Sequence, residues 1–225
     1  MSDLPAIPLF GTPAPVAGAE GCWVWHSGPG TPDVGLLTPE EAARVAALVD
    51  ETRRAHLARH LGERRQLLSA MLGRPVDGVA IGHDGEGRPF LPFDEALSIS
   101  LAGAGGWNAL ALSRTGRVGI DLEPVRSIDW KPMLGMTSDL QEREMVEEII
   151  SADDTLAPFF RLWTLKEAVL KAAGSGLRGG AKRVCLPMDL IDDSESRGTA
   201  IHDGVRYEIR CQAIQDVVVS MAVRA

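Results

Sequence analysis

The chain has no apolar run long enough to cross a bilayer, so no membrane span is expected. Its first stretch, MSDLPAIPLFGTPAPVAGAEG, has neither a basic start nor a continuous apolar core, the marks of a signal peptide. Residues 1–21 therefore read as a flexible or surface-hugging lead-in. Cysteine is scarce: Cys22, Cys185 and Cys211 are odd in number and far apart, with no CxxC pair. That pattern excludes a disulfide framework or a cysteine-held zinc and points to a reducing, cytoplasmic setting. Positive charge is in deficit, with a net charge of −8, so general nucleic-acid binding is not expected and any anionic ligand needs a local basic patch. There is no short tandem repeat and no regular βαβ alternation. One further lack raises a question: LSISLAGAGG, residues Leu97–Gly106, is shaped like a turn beside a site, yet holds no side chain that grips phosphate strongly or moves a proton.

With 225 residues, 45% hydrophobic and 24% charged, the chain suits one large soluble domain or two small halves sharing a core. CWVWHS from Cys22 reads as a strand. Thr38-Pro39-Glu40-Glu41 is a helix start, with a Thr cap, Pro in the first turn and Glu three residues after the cap. From there to Leu72, one long helix or two consecutive helices fit. The later part is locally basic, through Arg53, Arg54, His56, Arg59, His60, Arg64 and Arg65: a solvated helix face, or an anion-binding surface on an acidic protein. VAIG (79–82) reads as a short strand and HDGEGRPFLP as a loop. Ala109–Ser113 and Val118–Leu122, joined at Thr115-Gly116, read as a hairpin. Helices are expected after Ser138 and after Thr155, the second capped by Gly174. GSGLRGG reads as a flexible loop, and strands from Val205 and Val217 close the chain. Short strands mixed with long helices indicate an α+β fold, and helix-then-strands occurs roughly twice, as in two related halves.

Two constellations carry chemistry. Asp121 and Glu123 stand two apart on a strand, which puts both carboxylates on one face. A pair of like charges needs a compensating cation or proton, and hard oxygen ligands suit Mg²⁺. By themselves they read as simple surface acids at a strand end. Trp163, Glu167 and Lys171 follow at spacings of four and form one stripe along a helix. They read as a core tryptophan beside an exposed Glu–Lys pair, or as a carboxylate and a lysine serving phosphate chemistry. Lys166 points elsewhere, to a salt bridge or to a ligand.

Taken together, GRPFL, LSISLAGAGGWNALALS, VGIDLEPV and FFRLWTLKEAVLKAAGSGL resemble, in order and spacing, the Sfp-type 4′-phosphopantetheinyl transferases. The resemblance runs motif by motif from about Arg53 to Leu177. It implies a pseudo-twofold α+β fold of two similar halves, 1–107 with coenzyme A contacts and 108–225 with the metal-binding and catalytic residues, and a cleft between them. It implies a magnesium-dependent enzyme of the holo-[acyl-carrier-protein] synthase type. Such an enzyme moves 4′-phosphopantetheine from coenzyme A to a serine of an apo acyl or peptidyl carrier protein and releases 3′,5′-adenosine bisphosphate. By that pattern Asp121, Glu123 and Glu167 ligate Mg²⁺, Glu167 helps deprotonate the serine, and Lys171 stabilises the leaving phosphate. Arg88, Arg65 and Arg53 contact coenzyme A, Ser100 is the retained residue of the substrate loop, and the carrier docks near Met133–Val146. A monomer is implied, with no membrane and no nucleic-acid partner.

The family's phosphate-holding histidine falls at Leu101, and its following hydroxyl at Ala102. Three readings follow: backbone N–H groups around Gly103, Gly105 and Gly106 suffice; another cation such as His83 substitutes; or the chain is a degenerate relative that binds coenzyme A or a carrier with little turnover. The three intact carboxylates and Lys171 favour an active enzyme.

Overall fold

Thr38 caps the first helix as its sequence predicts. Its Oγ1 accepts the Glu41 N–H at 3.1 Å, and the Glu41 carboxylate accepts the Thr38 N–H at 2.9 Å. In this computed structural model, which describes residues 7–9, 20–28, 31–176 and 180–225, that helix is α1 (Pro39–Ala46). It stops short, and Asp50 caps a second helix, α2 (Glu51–Leu72), so of the two readings for this segment the consecutive pair is found. Further on come α3 (Trp130–Thr137), α4 (Leu140–Asp153) and α5 (Ala157–Ala173). The last ends at Gly174, whose φ of +81° is the left-handed cap its position predicts.

Strands β1 (Ile7–Leu9), β2 (Gly21–His26), β3 (Gly82–His83), β4 (Pro89–Phe90), β5 (Ser98–Ala104) and β6 (Trp107–Ser113) precede β7 (Val118–Pro124). After the helices come β8 (Val184–Cys185), β9 (Arg197–His202), β10 (Val205–Ile214) and β11 (Val217–Arg224). They form two main antiparallel sheets, ordered β1-β2-β6-β5 and β7-β11-β10-β9-β8, with β3 and β4 as a small separate pair.

Period-two alternation sorts the strands into layers. On β7, Val118, Ile120 and Leu122 meet Val217, Val219 and Met221 of β11 and pack against Cys22, Val24, Ala109 and Ala111 of the first sheet. The opposite face of the first sheet, with Trp23, Trp25, Leu110 and Leu112, packs on Leu67, Leu68 and Met71 of α2. The opposite face of the second, with Val218, Ala222, Ile209 and Cys211, packs on Leu162, Leu165 and Val169 of α5. The order is helix, sheet, sheet, helix.

Three expectations need correction. The stretch Leu97–Gly106 is not an open loop: most of it is β5, in register with β6 from Ser98↔Ser113 to Ala104↔Trp107, turning at Gly105 and Gly106, both at positive φ. Its alternation of small residues hid a strand. The expected hairpin of Ala109–Ser113 with Val118–Leu122 does not form, because β6 pairs with β2 and β5 while β7 pairs with β11. The sheets therefore part between β6 and β7. VAIG is mostly not a strand; only Gly82 enters β3, and the Val79 carbonyl instead accepts from the Arg65 guanidinium. Most of the lead-in and residues 177–179 of the GSGLRGG segment lie outside the described residues, although Ile7–Leu9 pair with β2. Among the described residues no helix is long and apolar enough to cross a membrane.

Candidate active site

Gly119 explains how the two chemical motifs meet. It lies on the face of β7 that carries Asp121 and Glu123, and α5 presses its backbone on it. A Cβ there would overlap the Ala168 carbonyl oxygen and stand 2.5 Å from the Ala172 nitrogen. The close approach holds the Glu167 and Lys171 stripe over the acidic face of β7. Gly119→Ala is expected to push α5 away, costing roughly 1–3 kcal/mol as overpacking does. That corresponds to a fall of about 3–10 °C in Tm. Calorimetry checks it; an unchanged Tm would refute this account of Gly119.

Lys171 Nζ donates to Asp121 Oδ1 at 2.7 Å and to the Ile120 carbonyl at 2.9 Å. Asp121 is buried, 8% exposed, and its Oδ2 has no hydrogen-bond partner. Burial pushes its pKa up, against the pull of Lys171. Glu123 points nearer solvent and pairs with Arg126 at 2.6 Å. Half-buried Glu167 is held up to about 7, first by burial and then by the charge of Asp121, with Glu123 adding to it and Lys171 opposing. Three carboxylates thus share one electrostatic neighbourhood.

Among the described residues no three His, Cys, Asp or Glu side chains close into a ready metal cage. The donor set nevertheless fits a hard dication. Asp121 Oδ2 is a buried anionic oxygen with nothing donating to it, and Glu167 carries a raised pKa that a nearby cation would relieve.

Beside this cluster lies a cavity of about 230 Å³ lined by Arg88, Ser100, Leu101, Lys171, Gly174 and neighbours. Arg88 is half-buried; its Nη2 donates to Ser98 Oγ at 3.3 Å while its buried Nη1 has no partner. Ser100 is buried and its Oγ accepts the Ile120 N–H at 3.0 Å, as Ser98 Oγ accepts the Val118 N–H. These hydroxyls clasp β5 to β7, so Ser100 lines the cavity while serving the backbone. Leu101 lines this cavity and also a second, of about 400 Å³, with Arg44, Arg64, Arg65 and His83.

The structure does not gather all the predicted arginines. Arg65 is 3% exposed and engaged by Glu41 at 2.7 Å. Arg53 sits exposed in the first turn of α2 and lines neither cavity. Lys166, left open by the sequence, is buried: its Nζ donates to Glu142 at 2.6 Å, Thr137 O at 2.9 Å and Ala181 O at 3.1 Å. Trp163 packs at the edge of the α5 core. Two charged residues, one paired with Lys166 and one beside Arg88, were not singled out by the sequence reading. Glu142, 24 residues from Lys166, gave no local signal. Arg117 did, since it alternates in step with Gly119, Asp121 and Glu123.

A family model described as the 4′-phosphopantetheinyl transferase superfamily matches residues 117–222. The chain is 34% identical over 111 residues to the 4′-phosphopantetheinyl transferase AcpT of Salmonella typhimurium, covering 49% of this chain and 56% of the relative. It is 28% identical over 118 residues to psf-1 of Bacillus pumilus (52% and 48%), and 27% identical over 144 residues to HetI of a Nostoc species (63% and 61%), both named 4′-phosphopantetheinyl transferases. The chain thus spans about half to three fifths of the length of these curated relatives.

Proposed function

We propose, from the match of residues 117–222 to the 4′-phosphopantetheinyl transferase superfamily, that this chain transfers 4′-phosphopantetheine from coenzyme A to a serine of an apo carrier protein. The observation that carries the reading is the buried Asp121, half neutralised by Lys171 and half unpartnered, facing Glu167 beside a cavity walled by Arg88.

The serine oxygen attacks the phosphorus that bears the pantetheine arm. A new P–O bond forms and the bond to the bridging oxygen breaks, so 3′,5′-adenosine bisphosphate leaves. Glu167 accepts the serine proton at its carboxylate. Lys171, beside Asp121, offers its ammonium to the charge that builds on the departing phosphate. Arg88 orients the nucleotide side through its partnerless Nη1. Asp121, Glu123 and Glu167 would hold Mg²⁺; the chemistry it supplies when bound is neutralisation of the pyrophosphate. Positioning and charge compensation dominate such transfers.

The mirrored order of helix, sheet, sheet and helix supports two pseudo-equivalent halves. The carrier would dock at the junction of α3 and α4, where Met136 and Leu140 are exposed at 68% and 65% in an otherwise buried class of side chain.

The test is intact-mass measurement of apo acyl and peptidyl carriers after incubation with the protein, coenzyme A and Mg²⁺. One added phosphopantetheine is expected. Leu101 favours a second reading, a relative that binds coenzyme A with little turnover; binding without mass gain on any carrier would establish that instead. Since Leu101 lines both cavities, Leu101→His is expected to tighten coenzyme A binding about tenfold by adding a charge-assisted contact, read by isothermal titration.

A further inference from the structure

Arg117 opens the strand that carries the acids. It precedes β7 by one residue, and its carbonyl accepts the Arg224 N–H at 2.9 Å, which fixes the chain there. Residues 117, 119, 121 and 123 alternate onto one face, so Arg117 stands about 13 Å from Asp121 along the strand. At that far end its guanidinium meets that of Arg88. A Cβ placed on Gly174 would lie 3.3 Å from Arg117 Nη1 and 3.6 Å from Arg88 Nη1, so both cations lie over the same glycine.

Two guanidinium groups this near repel each other unless an anion joins them. Among the described residues neither is in an ion pair. Asp84 is exposed and feels the charge of both arginines, but it makes no ion pair with either; its Oδ1 accepts the main-chain N–H groups of Glu86 and Arg88. Burial and the charge of Arg117 hold the Arg88 guanidinium below its ordinary pKa, with the charge of Asp84 opposing. Arg88 also walls two cavities. One is the 230 Å³ cavity that reaches Lys171; the other, of about 290 Å³, is lined by Arg117, Phe90 and Ser98, with the acids Asp84 and Glu95 also on its wall.

We propose that Arg117 and Arg88 form a second phosphate subsite, about one strand length from the acidic cluster, with Arg117 as its specificity-determining cation. Paired guanidiniums bind a phosphate through several charge-assisted N–H donors, which a single arginine cannot match. The subsite supplies cations that do not depend on the position occupied by Leu101. It rests on the proposed use of coenzyme A, which carries both a pyrophosphate and a terminal phosphate.

The experiment compares the affinities of wild type, Arg117→Gln and Arg117→Lys for coenzyme A and dephospho-coenzyme A by titration calorimetry, with Tm recorded for each. Arg117→Gln is expected to weaken coenzyme A binding about tenfold or more, with Arg117→Lys retaining part of the affinity. Loss confined to coenzyme A identifies the terminal phosphate as the group held; equal loss for both ligands identifies the pyrophosphate. A lowered Tm with both affinities unchanged would mean that Arg117 only caps the carboxyl end of α5, and the subsite would be abandoned. If the wild type bound neither ligand, the reading of function would fall on its own. The subsite would then be read with inorganic pyrophosphate: heat protection of the wild type that Arg117→Gln loses supports it, and protection that survives the substitution refutes it.

Discussion

Glu167→Gln is expected to lower carrier modification by at least 10²-fold. The amide keeps the shape of the side chain but cannot accept a proton, and general-base catalysis is typically worth ~10²–10⁴. The same substitution has a stability signature. The folded pKa of Glu167, about 7, lies above its ordinary 4.5, so the native state binds this proton more tightly than the unfolded chain does. Stability from the protonated carboxyl is complete below about pH 4.5 and is lost as pH rises through about 7. Without metal, Glu167→Gln is therefore expected to raise Tm at pH 8 and change it little at pH 5. Mg²⁺ binding to the wild type should strengthen over the same window, because a metal ligand must give up its proton. Equal transfer rates for wild type and variant would remove Glu167 from the reaction. A Tm difference that does not grow with pH would contradict the raised pKa.

Breaking the Lys166–Glu142 pair is expected to produce the largest loss of stability. Both side chains are buried, at 1% and 2% exposure, and Lys166 also serves two carbonyls, Thr137 O and Ala181 O. Burial draws the lysine pKa down and the glutamate up, each opposed by the partner's charge. Removing one partner leaves a buried charge uncompensated, at a cost of about 3–5 kcal/mol. Glu142→Leu is the sharper single variant, since it also removes the carboxylate that accepts the Asp139 N–H in the cap of α4. Lys166→Met with Glu142→Leu should recover much of the loss, because two apolar side chains need no counter-charge. Chemical denaturation of the two single variants and the double variant reads the coupling. Additive losses would show that the pair is not one electrostatic unit.

The sequence by itself determined what depends on near neighbours. The Thr38 capping box, the Gly174 cap and the alternation on β7 are local matters of hydrogen bonding and period, so they were legible directly. The stripe of Glu167 and Lys171 follows from helical spacing in the same way. What local pattern could not settle was which strand pairs with which. Between β6 and β7 a short turn looks like a hairpin, but β2 and β11 are better partners for them, and only their burial in a shared core decides that. Small alternating residues made β5 look like a loop for the same reason: its strand character comes from β6 beside it. The burial of Arg65 by Glu41, the Lys166–Glu142 pair and the meeting of Arg88 with Arg117 all join residues far apart in the chain. Of these, Arg65, Arg88 and Lys166 stood out in the sequence, and Glu142 and Arg117 did not. Their roles were set by desolvation and by which opposite charge the tertiary structure placed within reach, quantities that no stretch of sequence carries on its own.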